Sequence, residues 1–159
     1  MEQAIFAAGC FWGVQYYFDQ VPGVTKTTVG YVGGHTDSPS YEDVCTHTTG
    51  HAEAVEIEFD PAQVSYETLL KQFFKMHDPT QLNRQGPDVG DSYRTAIFYT
   101  TENQNEQAER IKKSAASDFN DPIVTESSKA GVFWPAEDYH QKFAERTGRG
   151  ICHIPYKAI

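Results

Sequence analysis

Strand-like and helix-like segments alternate along this chain, and their order is what most constrains the fold. Apolar residues at every second position predict strands, and apolar residues at i, i+3, i+4 and i+7 predict amphipathic helices. The resulting order is β-α-β-β-α-β, typical of a ferredoxin-like (split β-α-β) α/β sandwich, an α+β fold. We predict a mixed, mostly antiparallel sheet with extra C-terminal helices. The predicted strands cover 3–8, 25–32, 53–59 and 93–99, with a weak strand near 123–127, and the predicted helices cover 12–20, 65–77, 103–119 and 137–145.

Length and composition indicate one domain. The chain has 159 residues, and we treat 1–159 as a single domain in which 146–159 forms a coil-rich, mobile C-terminal tail. Its 22 acidic and 13 basic residues give a net charge of −9, which argues against a nucleic-acid partner. No apolar run approaches the roughly 20 residues that span a bilayer, and no leader precedes the first strand. We therefore expect a soluble, cytoplasmic monomer with no membrane and no nucleic-acid partner.

Cysteine usage fits a reducing compartment. The chain has three cysteines, too few and too odd in number for a secreted disulfide framework. Cys10 follows the first predicted strand and sits at or beside the first residue of the first helix, where unpaired N–H groups and the helix dipole favour an anion. A thiol in that position ionises readily and becomes a nucleophile. The adjacent Phe11 and Trp12 predict the walls of a small apolar pocket. A buried structural cysteine remains an alternative on this feature alone.

Glu53 is an acidic residue at a position that belongs to the apolar face of a predicted strand. Alternation places Val55, Ile57 and Phe59 on one face, and Glu53 points the same way at the start of that strand. Removal from water favours the protonated form of a carboxyl, so this side chain could donate a proton near neutral pH. If the strand begins after residue 53, Glu53 is simply hydrated, and that alternative also remains.

Two long connections add hydroxyls and a further carboxylate. In the predicted topology, the connections over 33–52 and 78–92 emerge at the same end of the sheet as Cys10, and long ordered loops often carry function. The first contains Tyr41; Asp88 lies in the second, and Tyr93 just after it. Each residue alone is a weak signal, because a loop tyrosine usually packs with its hydroxyl in water. Together they predict phenol donors around one pocket.

Several motifs of this sequence resemble those of the peptide methionine sulfoxide reductase A family of enzymes. The resemblance implies that the chain is a catalytic domain. The resemblance extends from Phe6 to about Gln141, and the motif around Cys10, which is the first of those below, is highly specific. The motifs are Gly9-Cys10-Phe11-Trp12-Gly13, Gly50-His51-Ala52-Glu53, His77-Asp78-Pro79-Thr80, Gly86-Pro87-Asp88 with Tyr93-Arg94, and Ala136-Glu137-Asp138-Tyr139-His140-Gln141.

The resemblance implies an oxidoreductase that converts methionine S-sulfoxide, free or in proteins, to methionine and so repairs oxidised proteins under oxidative stress. Cys10 matches the catalytic nucleophile, and Glu53 matches the acid that protonates the sulfoxide oxygen. Phe11 and Trp12 match the pocket for the substrate methyl group. Attack by the Cys10 thiolate would leave that residue as a sulfenic acid.

Three further matches complete the implied site. Tyr41 and Tyr93 correspond to hydroxyls that hydrogen-bond the sulfoxide oxygen, and Asp88 corresponds to a polar member of the same site. The family usually has Asn where Pro87 stands, and proline removes a backbone donor and an amide there.

The sulfenic acid requires a second thiol to form a disulfide. We expect Cys152 to be this resolving cysteine, because it lies near the chain end shortly after Gly148 and Gly150, which suggest a mobile segment, and we interpret Cys45 as non-catalytic. A packed tail cysteine remains the alternative for Cys152. The resemblance implies thioredoxin as the external reductant. We expect no cofactor and no metal.

Three other functions fit parts of the sequence. Cys45, His47 and His51 have spacing that a metal site could use, although no Cys-x-x-Cys pair accompanies them. A cysteine hydrolase could pair Cys10 with His140, about 130 residues downstream. A binding module could use the aromatic residues, but it would not explain Glu53 in the apolar phase.

Overall fold

Six strands form the central sheet of the molecule. The computed structural model describes residues 1–149. The strands of the sheet are β1 (Glu2–Ala8), β2 (Val24–Val32), β3 (Ala52–Phe59), β6 (Thr95–Tyr99), β7 (Glu126–Lys129) and β8 (Trp134–Pro135), and a separate pair is formed by β4 (Arg84–Gln85) and β5 (Asp88–Val89). The order across the sheet is β7-β6-β1-β3-β2-β8.

The sheet is mixed and mostly antiparallel, as predicted. β3 lies between β1 and β2 and is antiparallel to both, so β1 and β2 run parallel to each other. β1 is also antiparallel to β6, whereas β6 and β7 are parallel. Phe6 pairs with Val55, and Ala8 pairs with Thr95. The end of β1 therefore lies beside the starts of β3 and β6.

Five helices accompany the sheet within residues 1–149. They are α1 (Phe11–Asp19), α2 (Tyr41–Cys45), α3 (Tyr66–Met76), α4 (Glu102–Ala115) and α5 (Phe143–Thr147). Ser65 and Thr101 are the N-cap residues of α3 and α4. The hydroxyl of each accepts a hydrogen bond from a backbone N–H in the first turn of its helix. Met76, the last residue of α3, is 1% exposed.

Apolar side chains form separate clusters on the two faces of the sheet. The larger cluster joins α1, α3 and α4 to the sheet, and Phe6 is at its centre, with its ring centroid 5.6 Å from Phe18 and 5.0 Å from Phe73. The smaller cluster includes Ile5 and Phe98 on the opposite face. Burial of each large side chain contributes roughly 1.5–3 kcal/mol to folding. The strand ends that carry Cys10 and Glu53 are therefore fixed by a packed core.

Short elements differ from the predictions. The predicted helix over 137–145 is wrong: the structure has a 3-10 turn at Asp138–His140, and α5 follows it. Lys142 interrupts the helix because its φ is +58° and its amide donates to Gln15 Oε1 at 2.7 Å. The weak strand predicted near 123–127 occurs as β7, and a 3-10 turn at Asp91–Tyr93 delays the start of β6.

Two remaining expectations concern the membrane and the tail. Between residues 1 and 149, no helix combines the length and the apolar character needed to cross a membrane. Of the predicted tail over 146–159, Arg146 and Thr147 belong to α5. Residues 150–159, including Cys152, lie outside the described part of the chain.

Candidate active site

Cys10 is the N-cap residue of α1 and follows β1 after one glycine. Gly9 has a φ of +95°, a left-handed value that favours glycine and lets the chain turn from strand into helix. Cys10 itself is half-buried. Because the first turn of a helix presents unpaired N–H groups, this position favours a thiolate over a thiol.

Glu53 lies in the core at the same end of the sheet. Its residue exposure is 1%, so the prediction that it points inward is confirmed and the hydrated alternative is wrong. Glu53 Oε1 accepts a hydrogen bond from the Phe11 amide at 3.3 Å. This contact connects β3 to the first residue of α1, directly after Cys10. The Glu53 carboxyl and the residue that follows Cys10, from distant parts of the sequence, therefore meet at the start of α1.

Aromatic rings surround this meeting point. Phe11 is fully buried, and its ring centroid lies 5.7 Å from Tyr31 and 6.3 Å from Tyr41. Trp12 is half-buried and stacks on Phe143 with a centroid distance of 4.0 Å. Both residues after Cys10 therefore pack among other aromatic rings, and their role as walls of a substrate pocket stays a prediction.

Tyr41 and Tyr93 are half-buried on the two long connections. Burial, with a further contribution from the charge of Glu53, raises the pKa of both phenols well above the ordinary value. Cys10 and Asp88 add to the rise in the pKa of Tyr93. Both phenols therefore remain protonated at neutral pH and can donate hydrogen bonds near Glu53.

Asp88 has a less direct position. It is half-buried in β5 and lines an open cavity of about 990 Å³ between α3, α4 and the β4–β5 pair. His77 lines the same cavity, whereas Cys10 does not. The charge of Asp88 adds to the raised pKa of Tyr93, which is its one link to the site residues in the part of the chain that the structure describes. Pro87 also lines this cavity.

Sequence reasoning missed the roles of Glu137 and Tyr31. Glu137 Oε1 accepts a hydrogen bond from the Tyr31 hydroxyl at 2.9 Å, and Glu137 Oε2 accepts one from the Tyr41 amide at 3.0 Å. Burial would raise the pKa of Glu137, but hydrogen bonds from the Tyr41 amide, its own amide and the Tyr31 hydroxyl hold it below the ordinary value. The motif over 136–141 was the only signal for this group in the sequence.

His140 stands among the aromatic rings of the site. Its Nδ1 accepts a hydrogen bond from the Trp12 indole at 2.9 Å, and its ring lies 4.4 Å from that of Tyr41. Burial lowers the pKa of His140, although the charge of Glu137 opposes this shift. The hydrolase alternative loses its base, because the Nδ1 that would accept a proton is occupied by Trp12.

The residues considered for a metal site make other contacts. Both ring nitrogens of His51 contact backbone groups: Nδ1 accepts from the Gly34 amide at 3.0 Å and Nε2 lies 2.7 Å from the Thr36 carbonyl oxygen. Cys45 is exposed and hydrogen-bonds with the Tyr41 hydroxyl. Within the described 149 residues, no three His, Cys, Asp or Glu side chains are grouped so that they could hold a metal ion.

Comparisons with known proteins agree on one family. The family described as peptide methionine sulfoxide reductase matches residues 2–159. The peptide methionine sulfoxide reductase MsrA of Geobacter metallireducens is 52% identical over 156 residues, which cover 96% of this chain and 96% of that protein. Methionine sulfoxide reductase A of Corynebacterium diphtheriae has a TM-score of 0.83 and 36% identity over 95% of this chain and 77% of its own.

A yeast protein provides further structural matches. Reduced Mxr1 of Saccharomyces cerevisiae has a TM-score of 0.93 and 29% identity over 98% of this chain and 92% of its own. Mxr1 has also been solved in complex with Trx2, in a structure with a TM-score of 0.67 and 21% identity over 98% of this chain and 90% of that one. With a match over nearly the whole sequence and half of the residues identical to a relative, the chain belongs to the peptide methionine sulfoxide reductase family.

Proposed function

We propose that this chain reduces methionine S-sulfoxide, free or within polypeptides, and that Cys10 is its nucleophile. Reduction of methionine sulfoxide is the reaction of the family to which the chain belongs. One observation carries the mechanism: the Phe11 amide, directly after Cys10 at the start of α1, donates to the buried carboxyl of Glu53. A nucleophile and a proton donor are thereby held at one place.

The first step transfers oxygen from one sulfur to another. The Cys10 thiolate attacks the sulfoxide sulfur while Glu53 protonates the sulfoxide oxygen, which makes the sulfur a better electrophile. The bond between sulfur and oxygen in the substrate breaks, the oxygen moves to Cys10 as a sulfenic acid, and methionine leaves. One proton is consumed. Burial of Glu53 supports this role, because a carboxyl removed from water favours its protonated form.

The other residues bind and orient the substrate. Tyr41 and Tyr93, whose phenols are protonated at neutral pH, donate hydrogen bonds to the sulfoxide oxygen. Phe11 and Trp12 enclose the methyl group on sulfur. Asp88, which lines the neighbouring cavity, acts on the site through its charge near Tyr93.

A second thiol resolves the sulfenic acid. In our proposal the Cys152 thiol attacks the Cys10 sulfur, so that a disulfide forms and water leaves, and Cys45 takes no part. Thioredoxin then reduces the disulfide by exchange with its own two thiols. The complex of Mxr1 with Trx2 supports thioredoxin as the partner.

The remaining features of the proposal concern the whole chain. We describe 1–159 as a single catalytic domain, a cytoplasmic monomer with 146–159 as its tail. The order β6-β1-β3-β2 within the sheet supports the ferredoxin-like description of the core.

Single turnover of the reduced enzyme tests this proposal. We would mix it with S- or R-methionine sulfoxide without external reductant, quench, and measure methionine and disulfides. We expect about one methionine per enzyme from the S form only, with Cys10 linked to Cys152. A Cys10→Ser control should form none, because a hydroxyl is not ionised at neutral pH. Methionine from the R form, or none from either, would contradict the proposed function; methionine without that disulfide would contradict only the role of Cys152.

A further inference from the structure

Glu137 connects two tyrosines that lie far from it in the sequence. Its two carboxylate oxygens accept from the Tyr31 hydroxyl and the Tyr41 amide at 2.9 and 3.0 Å, across separations of 106 and 96 residues. Hydrogen bonds to an ionised acceptor are stronger than bonds between neutral groups. One half-buried carboxylate therefore joins β2 to the first residue of α2.

Both tyrosines adjoin the residues of the proposed first step. Tyr31 pairs directly with Glu53 across the β2–β3 ladder, so the two side chains lie on the same face of the sheet. The Tyr31 hydroxyl donates to Glu137, which fixes the direction of that phenol beside Glu53. Tyr41 packs against Phe11 and against the ring of His140. Movement of either phenol would change the surroundings of Glu53 and Cys10.

The start of α2 is held both by a local capping box and by a residue distant in the sequence. Ser40 and Asp43 form a capping box at its first turn. A helix of this length has little stability of its own, because nucleation is unfavourable. The contact from Glu137 to the Tyr41 amide is a long-range restraint on the same turn. The Tyr41 side chain therefore owes its place partly to Glu137.

We propose that Glu137 is a positioning residue of the reduction step, a role that rests on the proposed function. It holds Tyr41 so that the phenol hydroxyl meets the sulfoxide oxygen while Glu53 protonates that atom. Glu137 neither gives nor takes a proton and forms no covalent bond. Its removal should slow methionine formation and leave the apolar pocket for the methyl group in place.

Single-turnover rates of Glu137 variants test this inference. We expect Glu137→Ala to lower the rate about tenfold and Glu137→Gln about threefold, since the amide keeps one acceptor, with little change in KM. Asp138→Asn is the control, because Asp138 is the next residue and is exposed. Thermal unfolding checks that each variant is folded. If the Glu137→Ala variant does not fold, the Glu137→Gln variant still tests the inference.

A double-mutant cycle distinguishes positioning from a general structural defect. In a Tyr41→Phe background the Tyr41 hydroxyl is absent, so Glu137→Ala should lower the single-turnover rate less than about twofold. In a Tyr93→Phe background the full loss of about tenfold should persist, because Glu137 acts through Tyr41. An equal loss in both backgrounds, or no loss in the single variants, would overturn the inference. Methionine formation by the unsubstituted enzyme tests the proposed function separately.

Discussion

The candidate site has one half built on strand and helix ends and another half built on loops. Cys10 and Glu53 stand at the ends of regular elements, and the Phe11 amide connects them. Tyr41 is the first residue of the five-residue helix α2 and Tyr93 is the last residue of a 3-10 turn, and both short elements lie within the long connections, where the two tyrosines are half-buried. The first half is set by the packing of the sheet and α1, whereas the second half depends on contacts between distant segments.

The half of the site built on loops also contains residues other than glycine with unfavourable backbone conformations. Ser38, His47 and Asn83 have positive φ values of 44°, 59° and 52°, and all three lie in the two long connections. Such conformations cost energy for residues other than glycine and persist only where the surroundings impose them. The comparison teaches that the proposed nucleophile and acid follow from the fold itself, whereas the hydroxyl donors require additional restraints such as Glu137.

The largest expected effect comes from the half built on regular elements. Glu53→Gln should slow single-turnover methionine formation by roughly 10²–10³-fold, because the amide keeps the shape of the carboxyl but cannot donate its proton. Rapid-quench measurement of methionine checks this. Glu56→Gln is the matched control, since Glu56 lies on the same strand and faces the other way, and it should change the rate less than about twofold. A similar rate for Glu53→Gln and the unsubstituted enzyme would contradict the role of Glu53 as acid.

The loop half should have smaller effects, shared between two residues. Tyr41→Phe and Tyr93→Phe should each slow the same step about tenfold, because each removes one donor to the sulfoxide oxygen while the other remains. Tyr99→Phe, at the end of β6, serves as the control and should have no effect. If either substitution slowed the step as much as Glu53→Gln, the division into a dominant and an auxiliary half would be wrong.

His140 contacts both halves and makes their stability depend on pH. Burial lowers its pKa in the folded protein, so between the folded and unfolded pKa values the unfolded chain binds more protons. The free energy of unfolding should therefore fall as the pH decreases below about 6.5, the ordinary pKa of histidine, and rise again as the pH increases.

Urea unfolding at pH 7.5, 6.5 and 5.5 measures this dependence. His140→Gln should show a shallower slope than the unsubstituted protein, because the remaining histidines are the same in both. Parallel slopes would show that His140 titrates alike in the folded and unfolded states.

The smallest expected effect tests the strain in the loops. Ser38→Gly should raise the free energy of unfolding by about 0.5 kcal/mol, because relief of the left-handed conformation exceeds the entropy cost of glycine. Asp37→Gly, one residue earlier and without a positive φ, should lower the same free energy by a similar amount. Chemical unfolding measures both, and a decrease in both variants would refute the presence of strain at Ser38.

Periodic patterns predicted the half of the site that stands on regular elements. Glu53 was identified because it shares the phase of Val55, Ile57 and Phe59, a local signal that needs no knowledge of the fold. Cys10 was identified because a strand ends before it and a helix stripe begins after it. Tyr41 and Tyr93 came from the two long connections as weak signals, and the resemblance gave them their role as donors to the sulfoxide oxygen.

Contacts between distant residues could not be predicted in this way. The two hydrogen bonds of Glu137 join residues about a hundred positions apart, and no local sequence pattern indicates which residues are partners. The break in the predicted helix over 137–145 has a similar origin, because Gln141 uses its side chain to bond both backbone groups of Val29. The five-residue helix α2 was too short for a periodic signal, although Ser40 and Asp43 mark its start.

The burial of Met76 has a consequence for survival under oxidising conditions. The chain contains only two methionines, and with Met76 enclosed at the end of α3, Met1 is the one that solvent reaches, at 71% exposure. Oxidants convert accessible methionine to a polar sulfoxide, which disrupts apolar packing. A repair enzyme with this composition offers almost no target to the damage that creates its substrates. Its core should therefore persist when other proteins lose theirs, and its own side chains should hardly compete with those of its clients.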